Sequence, residues 1–394
     1  MDSDVPIINL MNKKSESYLD QFKQAMDPPS AQMTLSQLRR NYETINRAKS
    51  IYYPVAYQFV RELGRGRQGI VYLAYRQGAR GCITEQAIKL FDPSIYRSAE
   101  EYWTDMGRIA SQMTKLDLLQ SNHLVIRHGY DETYGIGYTA LEAINGLDLR
   151  RMLNSDHMTY VKERCLAKEW NRFTKTIFRM DDKNVCLQPG VAVYIMRGLL
   201  RGLQLMHSQN FLHYDVKPGN IMINTMGNVK LIDFGRAVIA HERVNFLLGS
   251  PMYMAPETHR REPGSFESDI FSVGLVGLEM LRGVRLLEKE DFAEDELYDA
   301  KISLADNLGS ILPPHVLANK QLLYILRKML HSDPSKRYPS AREAEVGEDG
   351  LKIISKQLVQ ANLDSEYATD LSDYLSKLID PKTQRIELAF APEE

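Results

Sequence analysis

The residues that could do chemistry are densest in the segment His213-Tyr-Asp215-Val-Lys217-Pro-Gly-Asn220. One carboxylate, one cation and one amide lie close together in a loop interrupted by proline and glycine. A carboxylate can orient an acceptor hydroxyl and take its proton, and a nearby cation can stabilise a charged group during transfer. An asparagine oxygen is a ligand that Mg²⁺ accepts. The segment therefore contains the residue types that metal-assisted phosphoryl transfer to a hydroxyl needs, although an aspartate in a turn is usually a cap.

A second carboxylate follows in Asp233-Phe-Gly235, directly after the strand-like run at 229–232. A carboxylate at the end of a strand, followed by glycine, suits a second magnesium ligand. An isolated motif of this kind is an ordinary turn in most proteins. Its meaning therefore depends on the other motifs of the chain.

A glycine-rich segment runs from Gly64 to Val71 with the pattern G-x-G-x-x-G-x-V. Glycines allow backbone N–H groups to approach phosphates without a clash from Cβ. Dinucleotide-binding folds use similar spacing, but there the glycines lead from a strand into a helix. Here the run Ile70-Val-Tyr-Leu-Ala74 continues as a strand, so we expect the glycines in a hairpin between two strands.

Two further segments complete the set. Lys89 lies in Ala87-Ile-Lys89, where apolar neighbours would bury its stem and direct the ammonium into a cleft, although a snorkelling surface lysine is the alternative. Tyr253-Met-Ala-Pro-Glu257 is followed by Asp269 in an otherwise apolar run. Each motif alone has an ordinary structural explanation. The five motifs in this order and spacing favour one common function.

The elements that must position these residues change in type along the chain. Between about residues 57 and 91, short β-branched and aromatic runs alternate with turns and predict antiparallel strands. From Val191 onward the pattern is mostly helical, with strand-like runs at 221–223 and 229–232. Strands first and helices later predict an α+β protein with segregated lobes.

Helices are also expected at both ends. Thr34 and Gln37 have the spacing of a capping box, and apolar residues follow at helical intervals as far as Ile45. An earlier helix is expected around residues 18–26. These two helices either pack on the domain behind them or serve as an arm that binds a regulatory partner. In the tail, apolar residues from Tyr367 to Leu378 predict another helix.

Composition argues against several functional classes. The net charge of −2 over 394 residues gives no basic field for nucleic acid. The cysteines at 82, 165 and 186 are far apart, which fits a reducing compartment. The N-terminal residues lack the apolar core of a signal peptide, and the longest apolar run, 270–278, is too short to span a bilayer. We expect a cytoplasmic protein that binds neither nucleic acid nor a membrane.

Residues 57–345 resemble the eukaryotic-type protein kinases on the strength of these motifs. The resemblance implies a small β-rich lobe at about 57–143 and a larger helical lobe at about 144–345, with ATP in the cleft. An insertion at about 154–190, a helical N-terminal extension at 1–56 and a helical tail at 346–394 complete the predicted organisation. The implied cofactors are ATP and Mg²⁺, and the implied partner is a protein substrate.

The resemblance also implies roles for single residues. Asp215 would be the catalytic base, Lys217 would contact the γ-phosphate, and Asn220 and Asp233 would bind magnesium. The hinge would be Leu141-Glu-Ala-Ile144, which would hydrogen-bond adenine through its backbone. The residues expected to bind ATP are Gly64, Gly66, Gly69, Val71, Ala87, Lys89, Glu142, Ile144, Asp148 and Met222. The residues expected to brace the helical lobe are Glu257, Arg337 and Asp269.

Within the family, Lys217 and the segment Gly249-Ser-Pro-Met-Tyr-Met-Ala-Pro-Glu257 resemble the serine/threonine branch. Tyr214 stands where most members have the arginine that captures a phosphate on the activation loop. That loop has no Ser, Thr or Tyr from 236 to 249. Its first hydroxyl, Ser250, would contact Asp215 and Lys217. We therefore expect activity that does not depend on loop phosphorylation.

A helix glutamate that should pair with Lys89 has no clear counterpart. Alignment back from His123 points near Ile109 or Gln112, neither of which is acidic. An active kinase is the leading hypothesis, and a nucleotide-binding or scaffolding pseudokinase is the alternative. A small-molecule phosphotransferase is disfavoured by Ala255-Pro-Glu257, which shapes a peptide-binding surface in the family.

Overall fold

The computed structural model describes residues 33–117, 119–180, 184–242, 250–287, 293–361 and 366–387. These residues form two compact units. The first contains the described residues up to 117 together with 126–143, and the second contains 119–125 and the described residues from 144 onward.

The first unit begins with helix α1 (Leu35–Ala48), which starts at the predicted capping box. The Thr34 N–H donates to the Gln37 side chain over 2.9 Å, and the Gln37 N–H donates to the Thr34 hydroxyl. Leu38 and Ile45 on the apolar face of α1 are fully buried in the core of this unit. For this helix, packing on the domain is confirmed. The helix expected around 18–26 lies outside the described residues.

A six-stranded antiparallel sheet forms most of the first unit, with the strand order β1-β2-β3-β4-β6-β5. Helix α2 connects β4 to β5. The elements are β1 (Ser50–Ile51), β2 (Tyr57–Gly66), β3 (Gly69–Gln77), β4 (Ile83–Phe91), α2 (Ala99–Leu116), β5 (Arg127–Thr133) and β6 (Ile136–Glu142). The predicted antiparallel strands and the glycine hairpin between β2 and β3 are confirmed.

The two faces of this sheet differ in what they contact. Alternate residues of the strands pack with α1 and α2 into one apolar core, because side chains two apart in a strand share a face. The sheet residues of that core include Ile70, Tyr72, Ile88, Leu90, Tyr138 and Ala140. Val71 and Lys89 are cross-strand partners, and Ala87 is two residues from Lys89, so these three lie on the other face.

The second unit is mainly helical. Its strands and first helices are β7 (Gly146–Asp148), α3 (Leu149–Met152), α4 (Asp156–Arg164), α5 (Ala167–Thr176), β8 (Phe178–Met180), β9 (Val185–Leu187), α6 (Pro189–Ser208), β10 (Phe211–Leu212), β11 (Ile221–Asn224), β12 (Val229–Leu231) and β13 (Val238–Ile239). The later helices are α7 (Pro256–His259), α8 (Phe266–Arg282), α9 (Glu294–Ile302), α10 (Leu304–Ile311), α11 (Pro314–Leu317), α12 (Lys320–Met329), α13 (Ala341–Val346), α14 (Lys352–Gln360) and α15 (Tyr367–Ser376). Helices α6 and α8 pack together at the centre of the unit.

Two small antiparallel sheets position the functional loops of the second unit. Strand β10 pairs with β13, and β11 lies between β7 and β12. The segment from Leu212 to Ile221 therefore leaves one sheet and enters the other. Both of its ends are fixed by backbone hydrogen bonds.

The predicted insertion and the predicted tail pack against each other. In the insertion, α4 and α5 and the β8–β9 hairpin lie beside α15 of the tail. Tyr374 is fully buried, its ring contacts Phe173 and Phe178, and its hydroxyl lies 2.6 Å from His157 Nδ1. Burial lowers the pKa of His157, so its neutral ring can accept this hydrogen bond. The tail helix forms as predicted.

The predicted fold class is confirmed, with a β-rich first unit and a larger helical second unit. The predicted domain limits remain predictions. Over the described ranges, no helix combines the length and apolar character needed to cross a membrane.

Candidate active site

One buried carboxylate holds the loop between β10 and β11 in place. Asp269, in the first turn of α8, accepts the backbone N–H groups of His213 and Tyr214 over 2.8 and 3.0 Å. Its Oδ2 also lies 3.0 Å from His207 Nε2. Burial alone would raise the pKa of Asp269, but the hydrogen bonds and charge of the two histidines outweigh burial and lower it. The predicted role of Asp269 in holding this loop agrees with these contacts.

Asp215 lies at the centre of a cluster of polar side chains. Its carboxylate receives Lys217 Nζ over 2.8 Å and Asn220 Nδ2 over 3.0 Å. The Ser250 hydroxyl donates to Asp215 Oδ1 over 3.1 Å and accepts from Lys217 over 2.9 Å. The predicted contact of Ser250 with Asp215 and Lys217 is confirmed. The structure thus brings a carboxylate, a cation, an amide and a hydroxyl together within the second unit.

Asn220 is oriented by this cluster. Its Nδ2 donates both to the Asp215 carboxylate and to the Asp215 backbone carbonyl, the latter over 2.8 Å. The amide orientation follows from these bonds, because the nitrogen must face Asp215 and the oxygen must face away. An oxygen held in this way suits a hard cation.

Asp233 follows β12 in a left-handed backbone conformation, with φ of 62°. Its Oδ1 accepts the Gly235 N–H over 3.2 Å. The segment before it is tied to the loop between β10 and β11, because the Ile232 N–H donates to the Asn220 carbonyl over 2.9 Å. The buried His213 adds a second tie, with its Nε2 3.0 Å from the Ile232 carbonyl. The backbone of the segment that carries Asp233 is therefore fixed relative to Asn220.

The glycine hairpin of the first unit contains glycines of two kinds. Gly69 has φ of 142°, and a Cβ there would collide with the Leu90 carbonyl. At Gly64 and Gly66, no atom of the described residues other than the glycine and its two chain neighbours lies within 4 Å of the position that a Cβ would take. Gly69 is thus required by the fold, whereas the other two leave open space beside the backbone.

Lys89 is buried on the face of the sheet that also carries Val71 and Ala87. Its Nζ donates to Gln68 Oε1, in the turn of the hairpin, over 3.1 Å. The acidic residues at the start of α2, Glu100 and Glu101, are exposed. Lys89 is therefore not a snorkelling surface lysine.

The sequence placed the partner of Lys89 near Ile109 or Gln112. Both residues lie on the buried face of α2. Gln112 Oε1 accepts a hydrogen bond from Arg108 over 3.0 Å. A neutral amide therefore occupies one of the two positions considered for a glutamate.

The predicted hinge and ribose residues lie on β6 and β7. Glu142 is the last residue of β6, and Ile144 lies two residues before β7. Asp148 ends β7, pairs with Met222 of β11, and caps α3 by accepting the Arg151 N–H over 3.0 Å. Burial raises the pKa of Asp148. The structure thus brings Asp148 and Met222 together within the second unit.

One contact next to the predicted hinge was missed from the sequence. The Asn145 side chain donates to the Gln384 carbonyl and accepts the Ile386 N–H, each over 3.0 Å. No sequence pattern marks an asparagine whose side chain bonds to the backbone of another segment. The residues that it bonds to, Gln384 and Ile386, also lie far away along the chain. The tail is therefore tied to the residue directly after Ile144.

The segment from 250 to 257, which we call the Ser250 segment, is held by long-range contacts. Glu257 forms a two-bond ion pair with the buried Arg337, with distances of 2.7 and 2.8 Å, as predicted. The Tyr253 hydroxyl donates to Glu279 over 2.6 Å, and its carbonyl accepts from Ser272. Burial raises the pKa of Glu279. The partners at 272 and 279 were not predicted, because both lie in an apolar helix.

Tyr214 is partly buried in the second unit. The side chain contacts a small apolar cluster formed by Leu212, Val238 and Ala240, and the Gly264 backbone hydrogen-bonds to its hydroxyl. Burial raises the pKa of Tyr214 to about 12, so the side chain is neutral at pH 7. A neutral aromatic side chain thus stands at the position where the resemblance would place an arginine.

Comparisons with known proteins agree with these motifs. The family described as "Protein kinase domain" matches residues 57–345. The chain is 36% identical to the probable serine/threonine-protein kinase mkcD of Dictyostelium discoideum over 38% of this chain and 22% of the relative. It is 28% identical to serine/threonine-protein kinase 17A of Oryctolagus cuniculus over 57% and 49%, respectively. It is 26% identical to the tyrosine-protein kinase MasK of Myxococcus xanthus over 72% and 41%. The chain spans less than half the length of each of these relatives.

Proposed function

Because the chain belongs to the protein kinase family, we propose that it transfers the γ-phosphoryl group of ATP to serine or threonine hydroxyls of a protein. The observation that carries this proposal is the cluster of Asp215, Lys217, Asn220 and Ser250. It brings a carboxylate, a cation and an amide together, with Asp215 and Asn220 buried and Lys217 and Ser250 partly buried. A purely structural loop would not need all three.

Asp215 is proposed to accept the proton of the acceptor hydroxyl. As the acceptor oxygen bonds to the γ-phosphorus, its O–H bond breaks and the β–γ bridging P–O bond breaks with its electron pair leaving on ADP. Lys217, which donates to both Asp215 and Ser250, lies where a cation can stabilise the charge of the transferred group. The bonds to Asn220 and Ser250 fix the carboxylate in orientation.

The remaining residues fit ATP and Mg²⁺ by their chemistry. The open space at Gly64 and Gly66 allows phosphate oxygens to approach the hairpin N–H groups. Lys89, Val71 and Ala87 share one face of the sheet, which gives a cation beside an apolar surface. Asn220 and Asp233 would hold Mg²⁺, which would neutralise phosphate charge during transfer. The contacts of Glu142, Ile144, Asp148 and Met222 with ATP remain proposals from the family resemblance.

The serine/threonine assignment rests on Lys217 and on the Ser250 segment. A tyrosine kinase is among the relatives, so the identity of the product decides this point. Acid hydrolysis of labelled product should release phosphoserine or phosphothreonine. Phosphotyrosine alone would contradict the assignment.

The central experiment is incubation of the protein with labelled ATP, Mg²⁺ and histones as a generic basic acceptor. Asp215→Asn should reduce transfer by roughly 10²- to 10⁴-fold, the usual contribution of a general base. ATP binding should persist in this variant, because Asp215 is proposed to face the acceptor. Equal transfer by variant and wild type would refute the assignment of Asp215.

The metal requirement is tested in the same assay. Asp233→Ala and excess chelator should each abolish transfer, since both remove the bound metal. Transfer that persists in excess chelator would contradict the proposal. A protein that binds ATP but transfers no phosphate under any of these conditions would instead be the nucleotide-binding or scaffolding alternative.

A further inference from the structure

A buried lysine of the second unit has no part in the mechanism above. Lys301, near the end of α9, has 0% of its surface exposed. Its Nζ donates to the backbone carbonyl of Pro251 and lies 3.3 Å from His259 Nδ1. A fully buried lysine is rare in proteins unless it is paired. Within the described residues, no carboxylate forms an ion pair with Lys301.

The position of the Pro251 carbonyl gives this contact its importance. Pro251 directly follows Ser250, whose hydroxyl bonds to Asp215 and Lys217. The residues after it are held by Ser272 and Glu279 through Tyr253. Lys301 therefore anchors the Ser250 segment at Pro251, between the contacts made by Ser250 and those made by Tyr253. Because Lys301 Nζ donates to a backbone carbonyl, the contact holds the backbone of the Ser250 segment in place.

We propose that Lys301 is a positioning residue that holds the Ser250 segment in the conformation that binds the acceptor protein. This inference rests on the proposed function. It assigns Lys301 to acceptor binding, with no role in ATP binding or in proton transfer. The class of ligand concerned is a polypeptide with a serine or threonine hydroxyl that enters beside Asp215.

The surroundings of Lys301 indicate that this lysine serves a purpose other than stabilising the fold. Burial lowers the pKa of Lys301 to about 7. Burial and the nearby Lys301 also lower the pKa of His259, which leaves that ring neutral near pH 7. The other charged or titratable groups that face this pair are Glu257 on α7, and Glu294, Asp295 and Tyr298 on α9. Burying the ammonium is costly, so an aliphatic side chain would stabilise the fold better.

The test compares steady-state kinetics of wild type and Lys301→Met, which keeps the length of the side chain but removes the donor. At pH 6, where the ammonium is charged, the KM for the acceptor should rise about tenfold or more, the effect of losing one charge-assisted hydrogen bond. The KM for ATP should change less than about twofold, because none of the described residues proposed to bind ATP is among the hydrogen-bond partners of Lys301. The matched control is Lys320→Met, an exposed lysine on α12, which should leave both constants unchanged.

Wild type alone offers a second readout. Because the pKa of Lys301 is lowered to about 7, the ammonium is charged below that pH and neutral above it. The acceptor KM should therefore rise between about pH 6 and pH 8.5, and this rise should be absent in Lys301→Met. Hydrogen–deuterium exchange at residues 252–254 should be faster in the variant, and this measurement does not require activity.

The outcomes separate the two proposals. Transfer by wild type with an acceptor KM that Lys301→Met leaves unchanged would overturn the role of Lys301 and leave the kinase function standing. Equal rises in the KM for ATP and for the acceptor would also overturn it, since that result indicates general loosening. No transfer by wild type would refute the kinase function, and unchanged exchange at 252–254 would then refute the anchor as well.

Discussion

The glycine hairpin of the first unit and the Ser250 segment of the second unit are held in place in opposite ways. The hairpin is local, since β2 and β3 are joined by a short turn and Gly69 fits against the adjacent strand β4. The Ser250 segment depends on side chains from distant parts of the chain, including Arg337 and Lys301. Both segments are proposed to meet a substrate, and both carry a motif of adjacent residues, but only for the hairpin do adjacent residues also predict the conformation.

This difference determines how each segment should respond to substitution. In the hairpin, the atoms that an added Cβ would meet differ from one glycine to the next. The effect of a substitution there therefore depends on the surroundings of that one residue. In the Ser250 segment, removal of a remote side chain leaves a buried polar group without its partner, which costs more than the lost contact itself. Substitutions far from Asp215 in sequence should therefore have the larger effects.

The largest expected effect is that of Arg337→Met. The substitution leaves the Glu257 carboxylate buried without its cation, and breaking a buried pair from one side costs about 3–5 kcal/mol. The free energy of unfolding, measured by urea denaturation, should fall by that amount. Activity should fall as well, since Glu257 belongs to the Ser250 segment.

Two variants sharpen this result. The double substitution Glu257→Gln with Arg337→Met removes the uncompensated charge and should recover part of the lost stability. Arg342→Met, at an exposed arginine on α13, should change the free energy of unfolding by less than about 0.5 kcal/mol. A loss as small at Arg337 as at Arg342 would show that the remote ion pair does not anchor the segment.

An intermediate effect is expected at the glycines of the hairpin. Gly69→Ala forces a residue with Cβ into φ of 142° and against the Leu90 carbonyl, which should cost about 1–3 kcal/mol of stability. Gly66→Ala meets no described atom, so stability should stay within about 1 kcal/mol. The KM for ATP should nevertheless rise about tenfold in Gly66→Ala, because the added methyl takes space proposed for phosphate. If Gly69→Ala and Gly66→Ala lost equal stability, the proposed difference between a glycine required by the fold and one that leaves space for phosphate would be wrong.

The same contrast explains how much of the molecule could be predicted from its sequence. Features specified by adjacent residues were predicted correctly, such as the capping box of Thr34 and Gln37 and the β2–β3 hairpin. The Glu257–Arg337 pair was predicted only because the family resemblance supplied it. Long-range contacts without a motif, such as Tyr374 with His157, were not predicted.

Lys301 shows why such contacts are difficult to predict. Helix α9 carries several acidic residues, so a lysine within it reads as part of a solvated face. The available signal was Leu297, which lies four residues earlier and therefore on the same side of the helix. Leu297 is fully buried. The sequence could indicate that Lys301 faces inward but not that it meets Pro251.

The smallest expected effect concerns phosphorylation of the activation loop, where we predict no change in activity. Residues 236–249 contain no hydroxyl side chain. The Ser250 hydroxyl is engaged with Asp215 and Lys217. Tyr214 packs its neutral ring beside Gly264 and cannot form the paired hydrogen bonds that an arginine makes with a phosphate.

The Ser250 segment should thus be ordered by its remote anchors without a phosphate, and this can be measured directly. Protein treated with phosphatase, and shown by mass spectrometry to be unmodified over residues 233–257, should transfer phosphate within about twofold of the untreated rate. Tyr214→Phe should behave in the same way, because it keeps the apolar packing of the ring. Activity that disappears on phosphatase treatment, and returns only when a residue of that segment is rephosphorylated, would show that the anchors are insufficient. The comparison between the two segments would then fail, since the Ser250 segment would also depend on a local modification.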